Sequence, residues 1–218
     1  MKQSIEFSCI SHPFLTMSPR RNANQYSLLL VQQGMALVRM GKHEHIILPN
    51  SAFWTPFDCL SSVTLLPNTK TVTVNFSIRL QEPLSEQGGF VELSPLALAL
   101  IEKLKSTYND ENRISQQNNL LQVLKDEVLE MQPKLATTPQ AEILTQWVKA
   151  INTKQREPEL KITGQSTAEL KMALRVREAV KLRKSGRKEE FIIEQLFNGN
   201  KTAYLQSCFA VLGSDCIN

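Results

Sequence analysis

Residues 170–213 constrain the fold of this chain most strongly, because three helical patterns follow one another there with glycine breaks between them. The first repeats apolar residues at helical spacing from Leu170 to Leu182, with basic residues in the gaps, and ends at Ser185-Gly186. The spacing predicts a second helix over about 188–197 and a third over about 201–212, with Asn198-Gly199-Asn200 between them. Two short helices joined by a tight turn, behind a basic helix, predict a helix-turn-helix.

Positive charge is concentrated in the same part of the chain. Residues 1–148 carry 12 basic and 13 acidic side chains, whereas residues 149–201 carry 13 basic and 7 acidic ones. A basic patch supplies the salt-sensitive phosphate contacts of nucleic-acid binding. Such a run is equally typical of a solvated helix face, and only its position before a helix-turn-helix pattern favours nucleic acid.

Several short runs of this stretch have the spacing of a known motif. They are RVREA at 175–179, Leu182, Ser185-Gly186, Leu196, TAYL at 202–205 and Leu212-Gly213. In these residues the chain resembles the second helix-turn-helix of the AraC/XylS family of bacterial transcription regulators, and the distance from Gly186 to Gly213 matches without a gap. The identities depart from the family at the turn, which reads Phe197-Asn198 instead of Gly-Phe, and at Phe209-Ala210, where the family has a basic pair.

The resemblance implies different roles for the polar and the basic residues of the motif. In the family the start of the third helix reads base edges, and the polar positions there are Asn200, Lys201, Thr202 and Gln206. The basic side chains would contact the DNA backbone, which positions a protein without specifying sequence. These side chains are Lys171, Arg175, Arg177, Lys181, Arg183, Lys184 and Lys188.

The family's first helix-turn-helix has no counterpart here. After a predicted helix at 140–151, the polar segment NTKQREPELKITGQST, with Pro158 and Gly164, leads directly to the helix near Leu170. Losing one recognition helix removes about half the base contacts, and each good pair contributes about 1–3 kcal/mol of discrimination. Two hypotheses remain: a dimeric DNA-binding regulator with reduced sequence specificity, or a protein-interaction module that pairs with another regulator and binds DNA weakly or not at all.

The chain from Gln25 to Ser77 has β character, with short branched and aromatic segments divided by glycine and proline. A hairpin is expected at Gly41-Lys42. The pattern resembles the cupin-like jelly-roll sensing domain of the same family, so the predicted class is α+β: a small β-barrel, then helices, then an all-α helix-turn-helix domain. An apolar lining would accept a small apolar effector, although the same side chains are also typical of plain core. These residues are Leu30, Phe53, Trp54 and Phe76.

Cupin enzymes hold a metal ion with histidines and a glutamate. His43, Glu44 and His45 lie together at the hairpin, where an exposed polar tip is expected, and no histidine follows them. We therefore expect no metal and no cofactor. No nucleophile constellation, phosphate loop or catalytic carboxylate pair stands out, so no enzymatic activity is expected, with a cupin enzyme kept as a third hypothesis.

The middle of the chain predicts a linker at 82–92 and two antiparallel helices, the first starting at Ser94-Pro95 and the second over about 115–131. The run LLQVLKDEV at 120–128 resembles the dimer-seam helix of the family, which predicts a homodimer through residues 94–131. Packing of this stripe on its own barrel is equally compatible. The resulting division is a cupin-like β domain at 1–81, a linker and helical pair at 82–132, and a reduced helix-turn-helix domain at 133–218.

Composition predicts a soluble cytoplasmic protein. No apolar run of about 18 residues is present, and the start MKQSIEFSC lacks the apolar core of a signal peptide. Cys9, Cys59, Cys208 and Cys216 show neither CxxC nor zinc spacing, and all four are expected to be reduced thiols.

Overall fold

In the computed structural model, the described residues are 4–80, 82–108, 114–136, 139–159 and 166–214. Strands occupy the first part of the chain: β1 (Ile5–His12), β2 (Thr16–Met17), β3 (Arg21–Asn22), β4 (Tyr26–Gln33), β5 (Ala36–Met40), β6 (His43–Ile47), β7 (Ser51–Thr55), β8 (Leu60–Leu65), β9 (Thr69–Phe76) and β10 (Gly89–Val91). Helices follow: α1 (Pro95–Thr107), α2 (Ile114–Leu129), α3 (Pro139–Asn152), α4 (Thr167–Lys184), α5 (Glu189–Phe197) and α6 (Lys201–Leu212). The predicted α+β class is confirmed.

The strands form two antiparallel sheets. The first sheet has the order β1-β9-β4-β7-β10, and the second has the order β2-β8-β5-β6 with β3 also paired to β8. Met40 pairs with His43 across the β5–β6 hairpin, so the two-residue tip at Gly41-Lys42 is confirmed. Gly41 has a φ of 58°, which favours glycine at this turn.

An apolar core lies between the two sheets. Leu29 and Val31 of β4 and Phe53 of β7 meet Val38 of β5 and Ile47 of β6 there. Because neighbouring side chains on a strand point to opposite faces, Leu30 and Trp54 lie on the outer face of the first sheet.

The helical pair α1–α2 covers that outer face. The predicted antiparallel pairing is confirmed at both ends, since Ser94 Oγ donates to Glu127 and Gln117 Nε2 donates to the Thr107 carbonyl. Leu124 and its neighbours on the α2 stripe pack on the strands of the same chain. This stripe therefore stabilises the β part of its own chain.

The segment expected to be a linker at 82–92 is partly a strand. β10 pairs with β7, and Phe90 exchanges backbone hydrogen bonds with Lys134. A Cβ on Gly89 would lie 2.5 Å from the Lys134 carbonyl, so this glycine permits a close approach of two backbones. In addition, Trp54 Nε1 donates to the Ser85 carbonyl at 2.8 Å and fixes the segment that precedes β10.

Helices α3 to α6 cover the outer face of the second sheet. Leu37 and Ile46 of that sheet share one continuous core with Trp147 of α3, Leu174 of α4 and Tyr204 of α6. The Leu15 amide also donates to the Val211 carbonyl of α6 at 2.8 Å. The C-terminal helices are thus held against the β part by apolar packing as well as by hydrogen bonds.

The predicted helices of the C-terminal part are confirmed, and within 153–159 no helix replaces a first helix-turn-helix. Residues 160–165 of the same stretch and Cys216 lie outside the described residues. The expectation that all cysteines are reduced is wrong for Cys208, which is buried in α6 and disulfide-bonded. Among the described helices, none is long and apolar enough to cross a membrane.

Candidate nucleic-acid interface

A two-residue turn sets the direction of α6 relative to α5. Asn198 closes α5 in the left-handed conformation with a φ of 51°, and Gly199 follows with a φ of 77°. Asn200 then caps α6, because its Oδ1 accepts a hydrogen bond from the Ala203 amide at 2.9 Å. The side chain of Asn200, predicted to read bases, therefore has a structural task at the start of the helix.

One side of α6 is buried. Tyr204, Cys208 and Val211 are at most 4% exposed, and the Tyr204 ring meets Phe197 of α5 edge to face at 5.2 Å. This packing fixes which side of α6 faces outward. Lys201, Thr202 and Gln206 are exposed on that outward side.

The start of α6 also contacts the start of α5. Lys201 Nζ lies 3.2 Å from Glu189 Oε1, although the lysine side chain remains 66% exposed. Toward the end of α6 the outward side becomes apolar, with Phe209 exposed to 65% and Ala210 exposed beside it.

Arg177 does not lie on the solvent face that was predicted for it. Its side chain is 2% exposed, and its guanidinium makes a bidentate ion pair with Glu44 of β6, with Nη1 donating to Oε2 at 2.9 Å. Arg177 is on the same stripe of α4 as Leu170 and Leu174, which the second sheet covers. A phosphate cannot reach this side chain while α4 stays packed on the strands.

The charge of Arg177 also affects the pKa of the Glu44 carboxyl. Burial by itself would raise the pKa of the Glu44 carboxyl, but the hydrogen bond and the charge of Arg177, with Lys181 and Arg39 nearby, lower it below its usual value. Glu44 is therefore a carboxylate, and the pair is ionic.

Three more predicted phosphate contacts on α4 are paired with carboxylates of the same chain. Glu157 lies 3.7 Å from Lys171 and accepts a hydrogen bond from Arg175, whose guanidinium also sits over the Trp147 ring at 5.7 Å. Lys181 Nζ lies 2.7 Å from Glu178. Most of the predicted cationic face of α4 is thus neutralised by carboxylates of the same chain.

The basic residues from the last turn of α4 to the start of α5 differ from the other basic residues of α4 in their pairing. Within the described part of the chain, no ion pair is made by Arg183, Lys184, Arg187 or Lys188. Arg187, which the sequence prediction omitted, is exposed and lies over the Phe191 ring at 5.4 Å. Its place next to Gly186, at the end of a basic helix, is the signal that could have identified it.

The four residues predicted to line a ligand pocket do not share a cavity. Leu30, Trp54 and Phe76 pack under α1 and α2, whereas Phe53 points into the core between the sheets. That prediction is wrong because it combined residues from opposite faces of the first sheet. None of the four lines either of two open grooves, one of about 920 Å³ beside β10 and α2 and one of about 490 Å³ between the β5–β6 hairpin and α3–α4.

The histidines of the hairpin lie in different surroundings. His43 is exposed, but His45 is 6% exposed and packs against Phe53 at 5.4 Å, so the expected exposed tip is wrong for His45. Burial lowers the pKa of His45, and a hydrogen bond with the backbone of Ala136 opposes this effect. In the described ranges, no group of three histidine, cysteine or carboxylate side chains is placed to hold a metal ion.

Comparison with known proteins finds likeness only among solved structures. No family model matches the chain, and no curated protein matches it. ToxT from Vibrio cholerae strain SCE256, in an apo variant form, is 12% identical over 98% of this chain and 96% of that chain, with a TM-score of 0.42. ToxT from strain O395, bound to (E)-4-(8-methylnaphthalen-1-yl)but-3-enoic acid, is 13% identical over 98% of this chain and 97% of that chain, with a TM-score of 0.38.

A cupin superfamily protein from Desulfitobacterium hafniense is also similar, with 13% identity over 35% of this chain and 71% of that chain and a TM-score of 0.33. All three identities and TM-scores are low. Function is therefore inferred from the residues of this chain.

Proposed function

We propose that this chain is a DNA-binding transcription regulator resembling the AraC family, with a cupin-like β part and one helix-turn-helix. The observation that carries the proposal is the exposed N-terminal end of α6, which projects Lys201, Thr202 and Gln206 from a turn fixed by Asn200. A helix presented in this way can enter the major groove with its first turns against the base edges. The proposal assigns the chain no catalytic activity and places it in the cytoplasm.

The exposed side chains of α6 suit base recognition. The Gln206 amide can donate to and accept from adenine, Lys201 can donate to guanine, and the Thr202 hydroxyl can serve either role. Lys201 would exchange its contact with Glu189 for a base or a phosphate, because 66% of the lysine side chain is exposed and open to a new partner.

A single recognition helix reads few base pairs, so the proposal includes a homodimer that supplies a second copy. The dimer would form through residues 94–131, where Leu96, Leu98 and Val123 are exposed. A small-molecule effector remains part of the proposal, at a site other than the four residues first expected.

Selection of bound sequences from a random double-stranded DNA pool at two salt concentrations tests the proposal. We expect a motif to be enriched, and enrichment to be lost when Lys201 and Gln206 are both changed to alanine. Enrichment that survives this double change would contradict base reading by α6. Absence of binding by the unaltered protein at low salt would contradict the proposed function itself.

A second candidate function is interaction with another protein in place of DNA. The observation that favours it is Phe209, 65% exposed on α6 where the resembled family has a basic residue. A large exposed aromatic side chain is typical of a protein contact. This candidate gains support if DNA binding is absent and Phe209→Ser abolishes association with a regulator from the same cell.

A further inference from the structure

The basic residues of the α4–α5 turn form a surface of their own. We call Arg183, Lys184, Arg187 and Lys188 the turn cluster. Lys184, Arg187 and Lys188 are exposed, Arg183 is half-buried, and within the described ranges no carboxylate pairs with any of the four. Glu189 and the exposed Glu190, on the first turn of α5, are the carboxylates nearest to them in sequence.

The other cations of α4 are committed to contacts inside the chain. Arg177 is buried against Glu44, Lys181 contacts Glu178, and Glu157 engages both Lys171 and Arg175. At each of these positions a carboxylate of the same chain competes with a phosphate, and at Arg177 the pair is buried as well. Among the described basic residues of α4 and the α4–α5 turn, only the turn cluster therefore combines exposure with the absence of a carboxylate partner.

The turn cluster lies next to the N-terminal end of α6. Lys201 contacts Glu189, the residue that follows Lys188. Tyr204, in the first turn of α6, is near enough to Glu189 and Arg183 to respond to both charges: burial raises the pKa of its hydroxyl, Glu189 adds to the rise, and Arg183 opposes it. Cations at this place flank the end of α6 that would enter a groove.

The stacking of Arg187 on Phe191 favours phosphate binding. Its guanidinium lies over the Phe191 ring at 5.4 Å, which restricts the side chain while leaving it exposed. A guanidinium held in this way loses less conformational freedom when it binds and can donate two hydrogen bonds to one phosphate.

We propose that the turn cluster binds the phosphate backbone of double-stranded DNA beside α6, and that the remaining cations of α4 serve internal ion pairs instead. This inference rests on the proposed function. It adds Arg187 to the DNA-binding residues and removes Lys171, Arg175, Arg177 and Lys181 from the phosphate contacts.

The test is the salt dependence of binding to a fluorescein-labelled random-sequence duplex, measured with the full chain by fluorescence anisotropy. Each phosphate contact contributes about 0.9 to the slope of log affinity against log salt, which corresponds to about eight-fold weaker binding at 0.1 M salt when one contact is lost. We expect this loss for Arg187→Gln and for Lys184→Gln, and about twice the change in slope for the double variant. Arg175→Gln removes the same charge from a paired position and should leave the slope unchanged.

Arg79→Gln, at an exposed arginine just after β9 and outside the proposed dimer interface, serves as the remote control for the loss of one positive charge. A slope that falls with Arg175→Gln but not with Arg187→Gln would overturn the inference while leaving DNA binding intact. Equal changes for all variants, including Arg79→Gln, would overturn it as well, because net charge alone would then account for the binding. No binding by the unaltered chain at low salt would overturn the proposed function on which the inference rests.

Discussion

Removing the Glu44 carboxylate should destabilise the whole chain, because its partner Arg177 would remain buried without a bidentate acceptor. The two side chains are 17% and 2% exposed, respectively. Breaking a buried ion pair by removing one partner costs about 3–5 kcal/mol. Glu178 Oε1, at 3.7 Å from Arg177 Nη1, offsets part of this loss. We therefore expect Glu44→Gln to reduce the free energy of unfolding by about 3 kcal/mol.

Urea unfolding followed by circular dichroism measures this change, which corresponds to a fall in Tm of about 6–12 °C for a chain of this size. Glu194→Gln is the matched control, because it breaks an exposed pair with Lys154 in which both side chains are about half or more exposed. Such a pair contributes about 0–1 kcal/mol. If Glu44→Gln costs no more than Glu194→Gln, the buried pair does not hold α4 on the second sheet, and the reasoning is refuted.

Two further predictions follow from the same structure. The pKa of Glu44 is lower in the folded chain than in the unfolded one, so its contribution to stability is complete above the unfolded value of 4.5 and is lost as pH falls through the folded value. The Tm difference between the unaltered chain and Glu44→Gln should therefore shrink in acid. A Tm difference that stays constant down to low pH would contradict the ion pair with Arg177. Asn200→Ala should lower the free energy of unfolding by about 1 kcal/mol, because it removes the cap of α6, whereas Asn200→Ser should be close to the unaltered chain. Equal losses of stability for both substitutions in urea unfolding would mean that the Asn200 cap contributes nothing.

The helices of the helix-turn-helix could be predicted from sequence because their signals are local. Apolar spacing and the breaks at Gly186 and Gly199 placed α4, α5 and α6 close to their observed bounds. The turn was recognisable for the same reason, since Asn198 and Gly199 both tolerate the left-handed backbone that it requires.

The pairing of the basic residues could not be predicted, because it depends on residues far away in sequence. Arg177 and Glu44 are separated by 133 positions, and nothing local to α4 indicates that a sheet covers this stripe. An amphipathic pattern identifies a cationic helix but does not show which cations meet a carboxylate. Arg187 was missed because it follows the glycine break and so lies outside the periodic pattern of the helix.

The error in the ligand-pocket prediction could have been recognised from the sequence. Phe53 and Trp54 are neighbours on one strand, so they must point to opposite faces of the sheet. The linker prediction at 82–92 failed differently: glycine there permits the backbone contact between Phe90 and Lys134, and only the fold reveals that contact.

The central claim, that α6 reads bases while the turn cluster holds phosphates, is tested most directly by the ratio of affinities for a selected duplex and a scrambled duplex of the same composition. For Gln206→Ala we expect this ratio to fall by a factor equivalent to about 1–3 kcal/mol, because a base contact is lost. For Arg187→Gln we expect both affinities to fall together and the ratio to stay constant. A ratio that is unaffected by Gln206→Ala, or one that falls with Arg187→Gln, would contradict the account.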